Sequence, residues 1–260
     1  MPAISLVVFD WAGTTIDFGC LAPVTAFVES FARHGVAVTT ADARKPMGLH
    51  KREHIKAMLR TPEIAAKWRS DHGADANEAD IDLLYQAFIP LQMEVIDRHS
   101  ELVPGLKVCV ASLRAAGIKI GATTGYFRAA AERVYESARR QGYTPDSTVC
   151  AEDVPAGRPA PWMIFRIMEA LNIYPAARVA KVGDTVPDIE EGLNAGALTI
   201  AVTQSSSEVG CSLPEWEALP ARVRETKLAK ARSTFMNAGA HYVIDSLGEL
   251  PTLLLKLNAG

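Results

Sequence analysis

The sequence predicts an α/β protein with a parallel, doubly wound sheet and an inserted helical domain. From Gly105 onward, short apolar strand-like runs alternate with helical patterns, and this alternation is typical of a parallel sheet with crossover helices. One further strand-like run lies near the N-terminus, and mostly helical sequence separates it from the alternating region. We therefore expect an α/β core domain from residues 1–18 and 100–260 and a helical cap domain from 19–99.

Composition and charge exclude several classes of protein. The chain has 260 residues, of which 48% are apolar, so it can bury a core and does not belong to the disordered classes. Its net charge of -3 offers no basic excess for nucleic-acid phosphates, and we expect no nucleic-acid partner. No apolar run approaches the roughly 18 residues of a membrane helix. We expect no membrane partner and, because the N-terminal residues lack signal-peptide features, a cytoplasmic protein.

The four cysteines indicate the same compartment. They are widely spaced and contain no CxxC pair or zinc-binding spacing. We interpret them as reduced thiols, although their even number is also compatible with disulfides.

Apolar spacing assigns the first strand and the inserted helices. Ser5–Phe9 is an apolar, β-branched run that ends at Asp10 and a glycine-containing turn, as expected of a buried strand. Apolar residues recur at helical intervals in the segment that follows. The helices predicted there are Pro23–His34, Glu53–Arg60, Glu63–Trp68 and Glu78–His99.

The alternating region is assigned in the same way. Predicted strands are 118–122, 147–150, 178–182, 198–202 and 241–244, and predicted helices are 106–116, 128–141, 162–171, 187–195 and 247–257. Pro187 at the start of one helix and Gly196 just beyond its end support its bounds. The segment Gln204–Gly239 is harder to assign, but Ala221–Met236 has a helical pattern whose basic residues indicate a solvated face.

Polar side chains follow several of the predicted strands. Asp10 follows the first strand, Thr123–Gly125 the second, and Asp184 a later one, with Asp188 one helical turn beyond. Arg158 lies in a loop that also follows a strand. Ligands of open parallel sheets bind at this edge, where carboxylates suit Mg²⁺ and hydroxyl, amide and guanidinium groups suit phosphate. Because each residue alone is more often a turn or helix-cap residue, the prediction depends on their combined order.

These motifs resemble the haloacid dehalogenase superfamily. The segments that carry the resemblance are Asp10–Thr15, Thr123–Gly125, Arg158 and Gly183–Asp188. The resemblance implies a Rossmann-like parallel sheet core, a cap inserted after the first strand, an aspartate nucleophile and Mg²⁺. Phosphatases of this superfamily carry an Asp-x-Asp-x-Thr motif, and its second aspartate corresponds to Ala12 here. This departure argues against ordinary phosphomonoester hydrolysis.

Longer segments resemble the phosphonoacetaldehyde hydrolase (phosphonatase) family over nearly the whole chain. They are Asp17–Cys20, Arg44–His54, Thr124–Tyr126 and Asp153–Trp162. In that family the cap supplies a lysine that forms a Schiff base, and the matching residue is Lys51. The chemistry agrees, because a departing carbon needs an iminium to accept the C–P electrons rather than an acid to protonate oxygen. Ala12 and Lys51 are thus consistent with one mechanism.

The resemblance implies a role for each matching residue. Asp10 would be the nucleophile, Lys51 the Schiff-base lysine and His54 a group that handles protons during Schiff-base formation. Mg²⁺ would be held by Asp10, Asp184 and the backbone carbonyl of Ala12. Substrate-binding positions are Cys20, Met47, Thr124, Gly125, Tyr126 and Arg158, and supporting positions are Thr14, Thr185 and Asp188.

The predicted reaction converts phosphonoacetaldehyde and water to acetaldehyde and phosphate, in the degradation of 2-aminoethylphosphonate. The substrate partner is thus a small phosphonate, and the resemblance also implies a homodimer and a cap that moves about hinges at Gly19 and 103–105.

Three other functions stay open. A phosphatase or phosphomutase of the same superfamily is disfavoured by Ala12, and a non-catalytic protein that binds phosphorylated ligands is disfavoured by the intact Asp10 and Lys51. A metal-free dehalogenase is disfavoured by Asp184 and Asp188, which suit a cation.

Overall fold

A six-stranded parallel sheet forms the centre of the structure, a computed structural model that describes residues 3–259. Its strands are β1 (Leu6–Asp10), β2 (Lys119–Thr124), β3 (Ser147–Cys150), β4 (Val179–Gly183), β5 (Leu198–Val202) and β6 (Tyr242–Ile244). They lie in the order β3-β2-β1-β4-β5-β6. The chain therefore builds the sheet outward from β1 in both directions, and the order reverses between β1 and β4. This is the doubly wound arrangement in which ligands bind at the switch point.

Helices surround the sheet. They are α1 (Ala22–Ala32), α2 (Thr40–Arg44), α3 (Lys51–Leu59), α4 (Pro62–His72), α5 (Glu78–Val95), α6 (Leu106–Ala115), α7 (Arg128–Arg140), α8 (Trp162–Leu171), α9 (Val186–Ala195), α10 (Leu213–Ala218), α11 (Ala221–Asn237) and α12 (Leu250–Ala259). The predicted α/β class with its Rossmann-like parallel sheet is confirmed. None of these helices in residues 3–259 is long and apolar enough to cross a membrane.

Two short helices and several helix ends differ from the sequence prediction, and α4 continues to His72 instead of ending at Trp68. Helices α2 and α10 were not predicted, because five and six residues are too few to show a helical period. Each begins with a capping box, formed by Thr39 with Asp42 and by Ser212 with Glu215, and this pattern was the available signal. The helix predicted to reach His99 ends at Val95 and continues as a 3₁₀ turn. The last predicted helix likewise starts as a 3₁₀ turn before α12.

The sheet is buried on both faces, as its near-continuous apolar strands require. All five residues of β1 are buried. Leu6 and Val8 belong to an apolar cluster that includes Ile167 of α8, whereas Val7 and Phe9 belong to the main core. The strand therefore holds Asp10, its last residue, at a fixed position on the carboxyl edge of the sheet.

Helices α1–α5, which we call the cap helices, pack on one another: α5 contacts α1 and α3, α2 contacts α1, and α4 contacts α3. Phe27 of α1 and Phe88 of α5 stack with ring centroids 4.4 Å apart. Two connecting segments join the cap helices to the sheet, and they meet where the amide of Asp17 donates to the carbonyl of Glu101, 3.1 Å away. The predicted domain bounds lie in these segments, and the division into two domains stays a prediction.

Candidate active site

Three carboxylates meet at the carboxyl edge of the sheet. Asp10 ends β1, Asp184 directly follows β4, and Asp188 lies in the first turn of α9. Oxygen atoms of all three lie within 4.8 Å of one another, and all three side chains are buried. The sequence prediction that these carboxylates converge agrees with this geometry. Such a set of oxygen ligands suits a divalent cation.

Asp184 is buried without a cationic partner. Its Oδ1 accepts a hydrogen bond from the Thr14 hydroxyl at 3.1 Å, and its Oδ2 accepts one from the Ser207 amide at 2.9 Å. Within residues 3–259, no ion pair involves Asp184. Burial and the nearby Asp10 carboxylate raise the pKa of Asp184 well above its usual value. A bound cation would relieve this repulsion, so the residues fit the Mg²⁺ that the sequence predicts.

Arg158 forms the centre of a buried ionic network. Its Nη2 lies 2.6 Å from Oδ1 of Asp10 and 3.1 Å from Oδ1 of Asp188, and its Nε lies 3.0 Å from Oε2 of Glu191. Lys181 approaches Asp188 at 2.9 Å and Glu191 at 3.0 Å. Two cations thus face three carboxylates in a water-excluded region. Buried charges are tolerated when they are paired in this way.

The pKa values of Asp10 and Asp188 are shifted in opposite directions. Burial raises the pKa of Asp10, although Arg158 opposes that effect. Burial alone would also raise the pKa of Asp188, but Arg158 and Lys181 together hold it below its usual value. Asp188 is therefore the securely ionised member, and its Oδ2 also accepts a hydrogen bond from the Thr185 hydroxyl at 2.5 Å.

Lys51, the first residue of α3, approaches the site from the cap helices. Its side chain is buried, and its Nζ lies 4.9 Å from the centroid of the Tyr126 ring and 5.8 Å from that of Phe27. Burial lowers the pKa of Lys51, and the Asp10 carboxylate opposes the change. A larger share of the amine is therefore neutral near pH 7 than in an exposed lysine.

A small cavity of about 20 Å³ lies between Lys51 and the sheet edge. Its lining residues are Asp10, Ala12, Cys20, Met47, Gly48, Lys51, Thr124, Gly125, Tyr126, Arg158 and Thr185. Most of the residues singled out from the sequence therefore share one cavity. Three of the predicted residues, Thr14, Asp184 and Asp188, do not line it. Thr14 donates to Asp184, and Asp188 pairs with Arg158, which does line the cavity.

His54 packs among the cap helices and does not line the cavity. Its ring stacks on Phe27 with centroids 3.8 Å apart, and its Nε2 lies 2.9 Å from the carbonyl oxygen of Ala43. Because a carbonyl can only accept, Nε2 carries the proton and Nδ1 keeps a free lone pair. Within the described chain Nδ1 has no hydrogen-bond partner. Burial and Lys51 lower the pKa of His54 well below its usual value, so the ring is neutral.

The cap helices close the cavity through the loop before α3. The carbonyl of Gly48 accepts a hydrogen bond from Nη1 of Arg158 at 3.4 Å. A Cβ atom at Gly125 would lie 2.7 Å from the Leu49 oxygen, and one at Gly48, where φ is +96°, would overlap the Thr185 hydroxyl. Glycine at both positions therefore allows the loop to pack directly on the core.

Comparison with known proteins agrees with this geometry. Residues 4–196 match the model of the haloacid dehalogenase-like hydrolase family, and residues 155–250 match a second, HAD-hydrolase-like model. The chain is 45% identical over 255 residues to a phosphonoacetaldehyde hydrolase of Syntrophobacter fumaroxidans, covering 98% of this chain and 92% of that protein. It is 44% identical to one of Bacillus cereus, covering 96% and 95%.

The chain belongs to the phosphonoacetaldehyde hydrolase family. A phosphonoacetaldehyde hydrolase-like protein from Oleispira antarctica has 45% identity and a TM-score of 0.96, covering all of this chain and 94% of its own. A hydrolase from Pseudomonas syringae, at 15% identity and a TM-score of 0.71, shares the fold alone. Membership of the phosphonoacetaldehyde hydrolase family confirms the predictions of the superfamily and of a hydrolytic enzyme.

Two residues of the network were missed in the sequence of this phosphonoacetaldehyde hydrolase family member. They are Lys181 in β4 and Glu191 in α9, both fully buried. The available signal was a lysine in the middle of an apolar strand, because an unpaired lysine is rarely buried. The predicted sites were taken from strand ends or from the family resemblance, so a charged residue within a strand was not considered.

Proposed function

We propose that this enzyme hydrolyses the C–P bond of phosphonoacetaldehyde to give acetaldehyde and phosphate. The observation that carries the proposal is that a buried amine and a buried carboxylate, Lys51 and Asp10, line one cavity. Phosphonoacetaldehyde has an aldehyde next to the carbon that bears phosphorus, so it presents one electrophile to each group. The names of the relatives support the same substrate.

The first step joins Lys51 to the aldehyde. The neutral amine attacks the carbonyl carbon, and the oxygen leaves as water after it takes up the proton released from nitrogen and one proton from solvent, which gives a protonated Schiff base. Burial favours the neutral amine at the start. His54 lies one turn further along α3 and offers the free lone pair of Nδ1, so we assign it the proton released from the amine.

The second step transfers the phosphoryl group. One oxygen of Asp10 attacks phosphorus, the C–P bond breaks, and its electron pair moves into the iminium to give an enamine. Arg158 binds the phosphonate oxygens with the Thr124 hydroxyl and the amide of Gly125, since charge-assisted donors suit this group. Ala12 needs no acidic replacement, because no leaving oxygen has to be protonated.

The last step regenerates the Asp10 carboxylate and the Lys51 amine. Water attacks the aspartyl phosphate and releases phosphate and the Asp10 carboxylate. Protonation of the enamine carbon regenerates the iminium, and its hydrolysis releases acetaldehyde and the Lys51 amine. The cavity is small, so we expect its walls, including Cys20, Met47 and Tyr126, to keep the enamine from other reactions.

Mg²⁺ fits this scheme. Asp10, Asp184 and the backbone carbonyl of Ala12 would hold the ion, which would neutralise charge on the phosphonate oxygens. Asp188 would support this site by holding Arg158 and Lys181 rather than by binding the ion. Thr14 would orient Asp184 through its hydroxyl.

By family resemblance, we also propose a cytoplasmic homodimer whose substrate comes from 2-aminoethylphosphonate. Light scattering of the full chain measures the oligomeric state. A monomer at micromolar concentration would contradict the dimer.

The function is tested by incubating the Mg²⁺-loaded enzyme with phosphonoacetaldehyde and measuring acetaldehyde and phosphate. We expect equal amounts of both from the wild type and near-zero turnover from Lys51→Arg, whose guanidinium keeps the charge but cannot form a Schiff base. Lys56→Arg is the matched control, because Lys56 is on the same helix but pairs with Glu78 at the surface. Borohydride added during turnover should attach the substrate carbon to Lys51 alone.

Two outcomes would contradict parts of the proposal. Absence of acetaldehyde from the wild type would exclude the substrate. Equal turnover by the wild type and Lys51→Arg would keep the substrate and exclude the Schiff base.

A further inference from the structure

Arg44, the last residue of α2, joins three segments that are far apart in the sequence. Its Nη1 donates to the carbonyl of Gly19 at 2.8 Å and to that of Ser207 at 3.2 Å. Longer contacts of 3.4–3.5 Å reach the carbonyls of Cys20 and Gly210 and the hydroxyl of Ser207. One side chain of the cap helices thus contacts the connecting segment at Gly19 and a core loop, residues 205–210, which we call the β5 loop.

Arg44 makes hydrogen bonds to uncharged acceptors rather than ion pairs. No ion pair of Arg44 occurs within residues 3–259, and its acceptors are mainly backbone carbonyls. Gly210 has a φ of +63°, and a Cβ there would lie 2.9 Å from Nε of Arg44. The β5 loop therefore admits the guanidinium only because glycine occupies this position.

The opposite side of the β5 loop contacts the active site. The amide of Ser207 donates to Oδ2 of Asp184 at 2.9 Å, and the Ser205 hydroxyl donates to the carbonyl of Gly13 at 2.6 Å. The carbonyl of Ser205 accepts a hydrogen bond from Gly19 at 2.8 Å. The same short loop therefore holds Asp184 on one side and receives Arg44 on the other.

The connecting segment contacts the cavity as well. Cys20 follows Gly19, and its buried side chain lines the cavity together with Lys51. Arg44 holds the carbonyls on both sides of the Cys20 Cα atom. Movement of Arg44 would consequently disturb the Cys20 wall and the donor to Asp184 at the same time.

We propose that Arg44 is a positioning residue that couples closure of the cap helices to the placement of Asp184. With the cap helices closed, the guanidinium fixes the β5 loop, and the Ser207 amide holds Asp184. If the cap helices move away, Arg44 leaves the loop, and the Ser207 amide that donates to Asp184 is no longer held in place. The inference rests on the proposed function only in that Asp184 serves as a Mg²⁺ ligand.

The test compares Arg44→Met, Arg44→Lys and Gly210→Ala with the wild type. Lys45→Met is the matched control, because this exposed neighbour contacts only Asp42. Mg²⁺ affinity is measured by calorimetry without substrate. Alkylation of Cys20 by iodoacetamide is followed by mass spectrometry, with the core thiol of Cys109 as an internal reference for global unfolding.

We expect Arg44→Met and Gly210→Ala to weaken Mg²⁺ binding and to accelerate Cys20 alkylation, each roughly tenfold. The reason is that several hydrogen bonds donated by the Arg44 guanidinium are lost. Arg44→Lys should show both changes to a smaller extent than Arg44→Met, since a lysine still reaches some of the acceptors, although fewer at once. Alkylation of Cys109 and the behaviour of Lys45→Met should match the wild type.

Either of two results would overturn the proposal. One is unchanged Mg²⁺ affinity and Cys20 reactivity in the folded variants. The other is a parallel rise in Cys109 alkylation, which would leave Arg44 with a role in global stability alone. Neither readout needs phosphonoacetaldehyde turnover, so a failure of the proposed reaction stays distinguishable from a failure of this coupling.

Discussion

Nη2 of Arg158 lies 2.6 Å from Oδ1 of Asp10. The guanidinium therefore balances the charge of the proposed nucleophile. A phosphonate that enters must share this cation with Asp10, and the sharing brings the phosphorus close to the carboxylate. The contact thus explains how two anions are brought together in a buried site.

Arg158→Lys should lower kcat/KM for phosphonoacetaldehyde by about 100-fold or more, because an ammonium cannot bridge Asp10, Asp188 and Glu191 as the planar guanidinium does. Steady-state kinetics measures the change. Arg166→Lys, an exposed arginine on α8, is the control and should behave as the wild type. A loss smaller than threefold in Arg158→Lys would contradict the binding role.

Lys51→Met should abolish turnover and raise the free energy of unfolding at pH 7 by about 1–2 kcal/mol, because it removes a buried amine but keeps the apolar stem. Burial lowers the pKa of Lys51 in the folded state, so the unfolded chain binds the proton more readily. The wild type should therefore gain stability as the pH rises toward the ordinary lysine range, and the advantage of Lys51→Met should shrink. Urea unfolding at both ends of this range measures the trend, and a variant less stable at pH 7 would argue against it.

Ala12→Asp should move the acidic limb of the kcat/KM profile to higher pH. Position 12 lines the cavity with Lys51, and a carboxylate there would favour the charged amine and raise its pKa. Turnover near pH 7 should fall as a result, whereas Ala12→Ser, a small neutral change, should leave the limb in place. Identical pH profiles for Ala12→Asp and the wild type would show that the two side chains do not interact.

Asp17 should make stability depend on pH below neutrality. Burial raises its pKa from 3.8 to about 6, although hydrogen bonds from the Leu21 and Ala22 amides and the charge of His99 oppose the shift. The folded state binds this proton more tightly than the unfolded chain, so this contribution to stability is lost as the pH rises through about 6. Relative to Asp17→Asn, the wild type should lose about 2–3 kcal/mol between about pH 4 and pH 7 in urea unfolding. Parallel stability curves for both proteins would contradict the raised pKa.

The elements that the sequence predicts best are bounded by strong local signals. The predicted bounds of β3, α8 and β5 agree with the structure. Turn residues or prolines precede these elements, and the apolar residues of each follow a pattern typical of one kind of element. The convergence of Asp10 and Asp184 was also predictable, because parallel strands end at one edge. The family resemblance added Lys51, for which the surrounding basic residues indicate only a solvated helix.

Contacts between distant segments were not predictable. The pairing of Lys181 with Glu191 depends on how α9 packs against β4, and a single sequence holds no record of that packing. Arg44 binds backbone carbonyls, which have no sequence signature. His54 was expected on the face of Lys51, and its stacking on Phe27 arises from tertiary packing. Its catalytic role stays a prediction.

Asp10 reaches the cavity from the end of β1, and Lys51 reaches it from the start of α3. In the proposed reaction, the sheet edge therefore carries the chemistry of phosphorus, and the cap helices carry the chemistry of the departing carbon. Neither half defines a substrate without the other. A designer could thus exchange the helical half to accept a different leaving group and keep the nucleophile, its cation and its ionic scaffold intact.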